Sequence, residues 1–335
     1  MRGTLRKLTE AFGPSGSEQQ VRDLIRAEVE PLADEVRTDA LGNLIAAKHG
    51  PGKRVMLAAH MDEIGIIATY IDEKGFLRFS RIGGLNPLTL LGSRVRFADG
   101  TVGVIGVEKL EDPAKVPDLD KLYIDIGAKS KADVRVRIGD VACMDRSLVD
   151  GGNRLIGKAM DDRAGCAVLV EILRRLRDCQ HDAYFVFTTQ EEVGLRGATT
   201  STYRIDPDIA IAVDVTLTGD TPKSATMAVS LGEGVAIKVR DGGMLAHPAV
   251  KDLLVQRAEE NRIPYQLEVL EGGTTDARVM QTARAGVPAG VISVPCRYVH
   301  TASEMIDLTD AEAAVNLLTT VLQNSIQVES LKVAV

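Results

Sequence analysis

The stretch Ala183-Tyr184-Phe185-Val186-Phe187-Thr188-Thr189-Gln190-Glu191-Glu192 is an apolar run that ends abruptly on polar residues and two acids. A short run rich in aromatic and β-branched residues reads as a strand buried on both faces, as in a parallel sheet covered by helices. The same pattern recurs along the chain: residues 54–59 precede His60, 209–213 precede Asp214, and 287–294 come shortly before His300. Asp161 follows the shorter run Leu155-Ile156 and opens a helix-like stretch. In open α/β sheets, ligands collect beyond the carboxyl ends of the strands, so residues as distant as 60 and 300 can meet in one crevice. Two imidazoles and three carboxylates suit two divalent cations if one carboxylate bridges them.

The first sixty residues read as helix, then strand. Ser17 and Gln20 make a capping-box pattern ahead of Val21, Leu24, Ile25 and Val29, which share one helical face. Short apolar strands follow at 44–47 and 55–59. From about 66 to 154 glycine recurs between short alternating segments at 75–79, 93–97, 102–107 and 122–126, without a long amphipathic helix. This texture predicts an inserted all-β module of small-barrel type. Helix–strand alternation returns after Gly157. A helix is expected over 163–176, with Ala167, Val168, Val170, Leu173 and Leu176 on its apolar face. Strands are expected near 183–189, 209–214, 235–239, 264–269 and 287–294, and helices near 247–261, 276–284 and 309–324. The expected fold class is α/β: a discontinuous sheet domain, 1–64 and 158–335, with a β-rich module, 65–157, emerging from its middle.

With 335 residues, 45% of them hydrophobic, the chain can bury a sizeable core. A net charge of −7 without a basic stripe argues against a nucleic-acid partner. The basic start Met1-Arg2-Gly3-Thr4-Leu5-Arg6-Lys7 lacks the apolar segment of a secretory signal, and no stretch approaches a membrane span. Cys143, Cys166, Cys179 and Cys296 are widely spaced, which reads as reduced thiols and a cytoplasmic location.

Each candidate residue carries its own chemical argument. In His60-Met61-Asp62, a neutral imidazole can bind a cation while Asp62, on the same side of an extended backbone, accepts from its other nitrogen. Asp161-Asp162 suits either a helix cap or a carboxylate bridging two cations. Glu191 and Glu192 repel one another unless a cation or a proton relieves them, and their diverging side chains allow one ligand and one general base. Asp214 suits a ligand or a helix cap. His247, before Pro248, reads as a helix-start residue, whereas His49 and His181 are expected to face solvent. The loop Gly272-Gly273-Thr274-Thr275-Asp276 is expected near the pocket, where backbone can approach a substrate closely.

Taken together, the strings AHMDEIG (59–65), GKAMDDRAG (157–165), TTQEEVGLRGA (188–198), VDV (213–215) and RYVHTASEM (297–305) resemble those of the tetrahedral, or TET, aminopeptidases. The resemblance runs along essentially the whole chain. It implies a mixed-sheet metallopeptidase domain of the phosphorylase/hydrolase-like type, with helices on both faces, and a PDZ-like dimerisation barrel. It further implies one cation on His60, Asp161 and Asp214 and another on Asp161, Glu192 and His300, with Asp161 bridging. Glu191 is then the general base, Asp62 the partner of His60, and Asp161-Asp162 a cis peptide. Zinc or cobalt are the implied metals, with manganese a third candidate. The implied reaction is hydrolysis of the N-terminal residue from peptides with free N-termini, through a metal-bridging water, in a homo-oligomer of dimers built into a tetrahedral dodecamer. A leucine-like N-terminal residue is the default preference.

Three other functions bear weighing. Some similar proteins are labelled endoglucanases, but this chain has no Trp, only six Tyr and six Phe, and a candidate ligand set that glycoside hydrolysis would leave unused. A related metallo-dipeptidase or deacylase would share the ligands and differ toward blocked peptides. A purely structural metal protein would have no need of Glu191 beside Glu192.

Overall fold

Strand Arg54–His60 lies inside an eleven-stranded mixed sheet. Val55, Leu57 and Ala59 face one hydrophobic core, whereas Met56 and Ala58 face another, the two-residue period of a strand covered on both sides. The computed structural model describes residues 1–326 except 111 and 113. Strands Asp182–Thr188 and Ile209–Thr216 flank Arg54–His60 in parallel, and Ala289–Arg297 runs parallel beyond Ile209–Thr216. Thr188 stands opposite His60 and Asp214 opposite Ser293, so the four carboxyl ends open on one edge.

Antiparallel strands complete the sheet: Glu35–Thr38 and Leu44–Lys48 at one margin, and Glu304–Asp307, Arg154–Gly157 and Val149–Gly151 at the other. Strand Val235–Arg240 pairs antiparallel with Ala289–Arg297 and carries Tyr265–Val269. Helices Arg2–Glu10, Gln19–Val29, Met160–Arg175, Pro248–Glu260 and Leu308–Gln323 supply the larger core through Leu5, Leu8, Ile25, Leu169, Leu254 and Leu318. Helices Arg196–Ile205 and Ala277–Met280 close the smaller core with Ala198, Ile205 and Met280. Helix Met160–Arg175 is buried nearly all round, as an interior helix must be when apolar on every face. Each fully buried Leu, Ile or Val side chain contributes roughly 1.5–3 kcal/mol.

Between residues 65 and 144 the chain forms a closed antiparallel barrel, in the order Gly65–Ile71, Leu77–Ile82, Leu122–Asp125, Val102–Val107, Arg94–Phe97, Val141–Met144. Ile66, Ala68, Leu77, Phe79, Val95, Phe97, Ile105 and Ile124 alternate inward to fill it. Strands Val149–Gly151 and Arg154–Gly157 pair into the large sheet through Glu304–Asp307. Where the chain leaves for the barrel and returns, the buried Lys158 ammonium lies 2.7 Å and 2.8 Å from the Glu63 carboxylate oxygens, and Arg163 lies 3.3 Å away. Buried charges persist only when paired in this way.

Several local expectations fail for identifiable reasons. The Ser17–Gln20 capping box does not form: Gln20 accepts from the Phe12 amide, and Glu18 stands at the N-cap with its carboxylate on the Gly16 and Gln190 amides. His181 is buried rather than solvent-facing, its Nε2 2.9 Å from the Asn324 carbonyl oxygen. The helix expected over 276–284 is only Ala277–Met280. Asp214 lies inside its strand, two residues short of the end. His247 does stand at a helix start, as the N-cap of Pro248–Glu260.

Candidate metal centre

His60 is the last residue of its strand, and its ring turns into the crevice. Nδ1 is 3.1 Å from the Asp62 carbonyl oxygen and 3.5 Å from the Asp62 carboxylate. Donation from Nδ1 to that carbonyl leaves the Nε2 lone pair facing Asp161 Oδ1 at 2.9 Å and Asp214 Oδ1 at 3.9 Å. A lone pair pressed on two carboxylates requires a cation or a proton between them. Burial alone would lower the His60 pKa, but Asp161, Asp62 and Glu191 hold it well above the ordinary imidazole value.

A second group adjoins the first. His300 Nε2 lies 3.2 Å from Asp161 Oδ2 and 3.3 Å from Glu192 Oε1. Asp161 therefore turns one oxygen to each histidine. In each trio, His60–Asp161–Asp214 and Asp161–Glu192–His300, one atom per residue lies within 4.8 Å of the others. The peptide bond Asp161-Asp162 is cis. All five sequence-predicted ligand candidates thus meet at the sheet edge, joined by Asp62 and Glu191.

The surrounding acids have distinct partners. The fully buried Asp62 carboxylate accepts from the Glu191 amide at 3.0 Å, the Glu192 amide at 3.2 Å and Ser15 Oγ at 2.6 Å. Asp162 caps helix Met160–Arg175 through the Gly165 amide at 2.8 Å and also accepts from the His60 amide at 3.2 Å. Glu304 accepts from the amides of Asp161 and His300. Glu304 went unassigned in the sequence because an acid whose partners are backbone amides leaves no spacing signature.

Negative charge is in surplus here. Burial, followed by Asp161, pushes the Asp214 carboxyl up to about 8, and burial followed by Asp161 does the same to Glu304. Burial also drives Glu191 well above the usual carboxylate range, with His60 opposing and Asp214, Asp276 and Glu192 adding. Glu192 Oε1 is buried without a hydrogen-bond partner. An orphaned oxygen, a shared carboxylate and nitrogen–oxygen donors fit a pair of divalent cations. The residues open on a cavity of about 1430 Å³, walled by Leu217, Met227, Leu270, the loop residues Gly272 to Thr275 and, from the barrel side, Gly84 and Asn86.

The parallel-strand edge, with clustered carboxylates and imidazoles beside a cavity, defines an α/β protein with a candidate metal centre. The M42 glutamyl aminopeptidase family matches residues 42–317. The chain is 50% identical over 316 residues to a putative aminopeptidase of Acetivibrio thermocellus, covering 94% of this chain and 96% of that one. Among solved structures, an aminopeptidase from the archaeon Desulfurococcus kamchatkensis shares 43% identity at a TM-score of 0.93, over 96% of this chain and 94% of that one. The TET1 peptidase of Pyrococcus horikoshii, which can assemble into a tetrahedron or a large octahedral shell, shares 33% identity at a TM-score of 0.87, over 96% and 98%. The chain belongs to the M42 glutamyl aminopeptidase family. It is a peptide hydrolase of the aminopeptidase class, which bears out the TET resemblance and sets aside the endoglucanase alternative.

Proposed function

We propose that the protein removes N-terminal residues from peptides using two divalent cations, one on His60, Asp161 and Asp214, the other on Asp161, Glu192 and His300. The observation that carries this reading is Asp161, whose Oδ1 faces His60 and Oδ2 faces His300. When bound, the cations supply Lewis acidity, polarising the scissile carbonyl and acidifying water. The protein's own groups do the rest. Glu191 takes the proton of the attacking water and delivers it to the departing amine, a task suited by a carboxyl whose affinity for protons is raised. Asp62 fixes the Glu191 and Glu192 amides and stands beside the His60 ring. The crowd of carboxylates receives the free α-amine, which confines cleavage to chain ends.

Leu217, Met227 and Leu270 in the cavity wall favour a leucine-like N-terminal side chain. Zinc or cobalt, with manganese third, match the donors. The sheet portions 1–64 and 158–335 form the catalytic domain, and residues 65–157 a PDZ-like dimerisation module. The exposed barrel residues Tyr70, Val102 and Val104 support that role, and the tetrahedron that P. horikoshii TET1 can form, with the dodecamer seen for PhTET1-12s, supports dimers built into a tetrahedral dodecamer. The four free cysteines suit a cytoplasmic location.

The test is hydrolysis of a panel of aminoacyl-p-nitroanilides by chelator-stripped protein reloaded with zinc, cobalt or manganese. Metal-restored cleavage that stops on acetylation of the substrate is expected. Full activity in the stripped protein, or equal cleavage of acetylated substrates, would overturn the reading.

A further inference from the structure

Asp161, Glu192 and His300 are held in different ways. Asp161 sits at the start of a buried helix, but His300 stands in an irregular turn after strand Ala289–Arg297, with Tyr298 and His300 both in the left-handed region at φ of 62°. Backbone of that kind persists only when its surroundings over-determine it. Two features do so.

The first is Glu304. Its Oε1 accepts from the His300 amide at 2.8 Å and its Oε2 from the Asp161 amide at 3.1 Å. Its strand explains how it can reach both. Strand Glu304–Asp307 pairs on one side with Arg154–Gly157, where Glu304 faces Gly157, just upstream of Asp161. On the other side it pairs with Ala289–Arg297, where Met305 faces Arg297, just upstream of His300. One buried carboxylate therefore spans the two segments whose spacing sets this trio.

The second feature comes from the barrel. Gly83 and Gly84 follow strand Leu77–Ile82 and press against the same trio from outside. A Cβ on Gly84 would lie 2.5 Å from His300 Nδ1 and 2.7 Å from its Cε1, and one on Gly83 would lie 2.8 Å from Glu192 Oε2. His60 and Asp214 belong to strands and meet no such backstop among the glycine contacts of the barrel.

We propose that Glu304 and the Gly83-Gly84 turn are positioning elements that hold His300 and Glu192 against Asp161, so that the inserted barrel governs how tightly the second cation is held. This rests on the two-cation reading above. An imidazole at the end of a side chain can swing away from an added methyl at little cost to folding. A ligand that swings away no longer binds, so the cost appears in metal affinity instead.

The experiment titrates cobalt into metal-free wild-type protein, Gly84→Ala and Glu304→Gln, followed by calorimetry and by the visible absorption of the bound ion. Gly84 does not occupy the left-handed region, so alanine there tests the His300 contact rather than backbone strain. Glutamine at 304 can accept from only one of the two amides and turns an NH2 toward the other. Both variants are expected to keep one equivalent at wild-type affinity and bind the other roughly 10–100-fold more weakly. Without metal, Gly84→Ala should melt with the wild type, whereas Glu304→Gln, which leaves a buried amide without an acceptor, should melt lower. Two full-affinity equivalents in both variants would overturn the proposal, as would equal weakening of both equivalents. A wild type that takes up fewer than two equivalents would instead overturn the two-cation reading itself.

Discussion

The two halves of the centre are built by different means. His60 and Asp214 belong to hydrogen-bonded parallel strands and are almost fully buried. Glu192 and His300 stand on loops, the His300 ring partly exposed, and keep their places through carboxylates that hold the backbone beneath them, Asp62 under Glu192 and Glu304 under His300. Sheet hydrogen bonding fixes the first pair, with Asp162 adding a bond to the His60 amide. The second pair lies outside the strands and leans on the side-chain-to-backbone bonds of Asp62 and Glu304.

The largest effect should come from the residue common to both halves. Asp161→Asn is expected to lower kcat by about 10⁴-fold or more and to remove both cations, as metal analysis of purified protein would read. Retention of two cations would end the idea that the halves share a ligand. Glu191→Gln should cost about 10²–10⁴-fold in kcat while metal content stays at the wild-type level if, as proposed, it removes the base and no ligand. Parallel loss of metal and rate would show that Glu191 belongs among the ligands.

Asp62→Asn comes next. It perturbs the amides of Glu191 and Glu192 and should weaken binding of the loop-side cation by roughly 10-fold. If the strand-side cation weakens more in a cobalt titration, the contrast between the halves is misdrawn.

The smallest effect concerns the cavity wall. The Arg297 guanidinium makes hydrogen bonds of 3.0 Å and 2.7 Å to Asp220 and so ties the segment after strand Ile209–Thr216 to the strand that leads to His300. That pairing holds the Asp220 carboxyl well below the usual carboxylate range. Its stabilisation is present above the unfolded value near 4 and is lost as pH falls through the depressed folded value. Asp220→Asn should lower stability by about 1 kcal/mol or less at neutral pH, with the gap to wild type closing in acid. Melting curves across that range check the sign, and a constant gap would refute it.

The strand-side half was the more legible in the sequence, because an apolar run ending on His60 or running into Asp214 announces itself locally. Glu191 and Glu192 were legible for the same reason, as paired acids at the end of 183–189. Glu304 was not, since its partners are amides 143 and 4 positions away. Nor was Gly84, whose meaning lies in a ring that approaches from the far end of the chain. Helix Arg2–Glu10 escaped notice because Leu5 and Leu8 are nearly its whole apolar face. The barrel was visible as a change of texture, whereas the pairing of Val149–Gly151 and Arg154–Gly157 into the large sheet depends on Glu304–Asp307, far downstream.

The Glu63–Lys158 ion pair has a consequence for protein engineering. It draws together the two ends of the excursion into the barrel, so a short turn spliced between them would remove the barrel together with the marginal strands Val149–Gly151 and Arg154–Gly157, leaving Glu304–Asp307 as the sheet edge and the other strands in order. Such a truncated chain should still fold by circular dichroism. It should also have turned from a two-ion protein into a one-ion protein, because the wall behind His300 was lent by the segment removed.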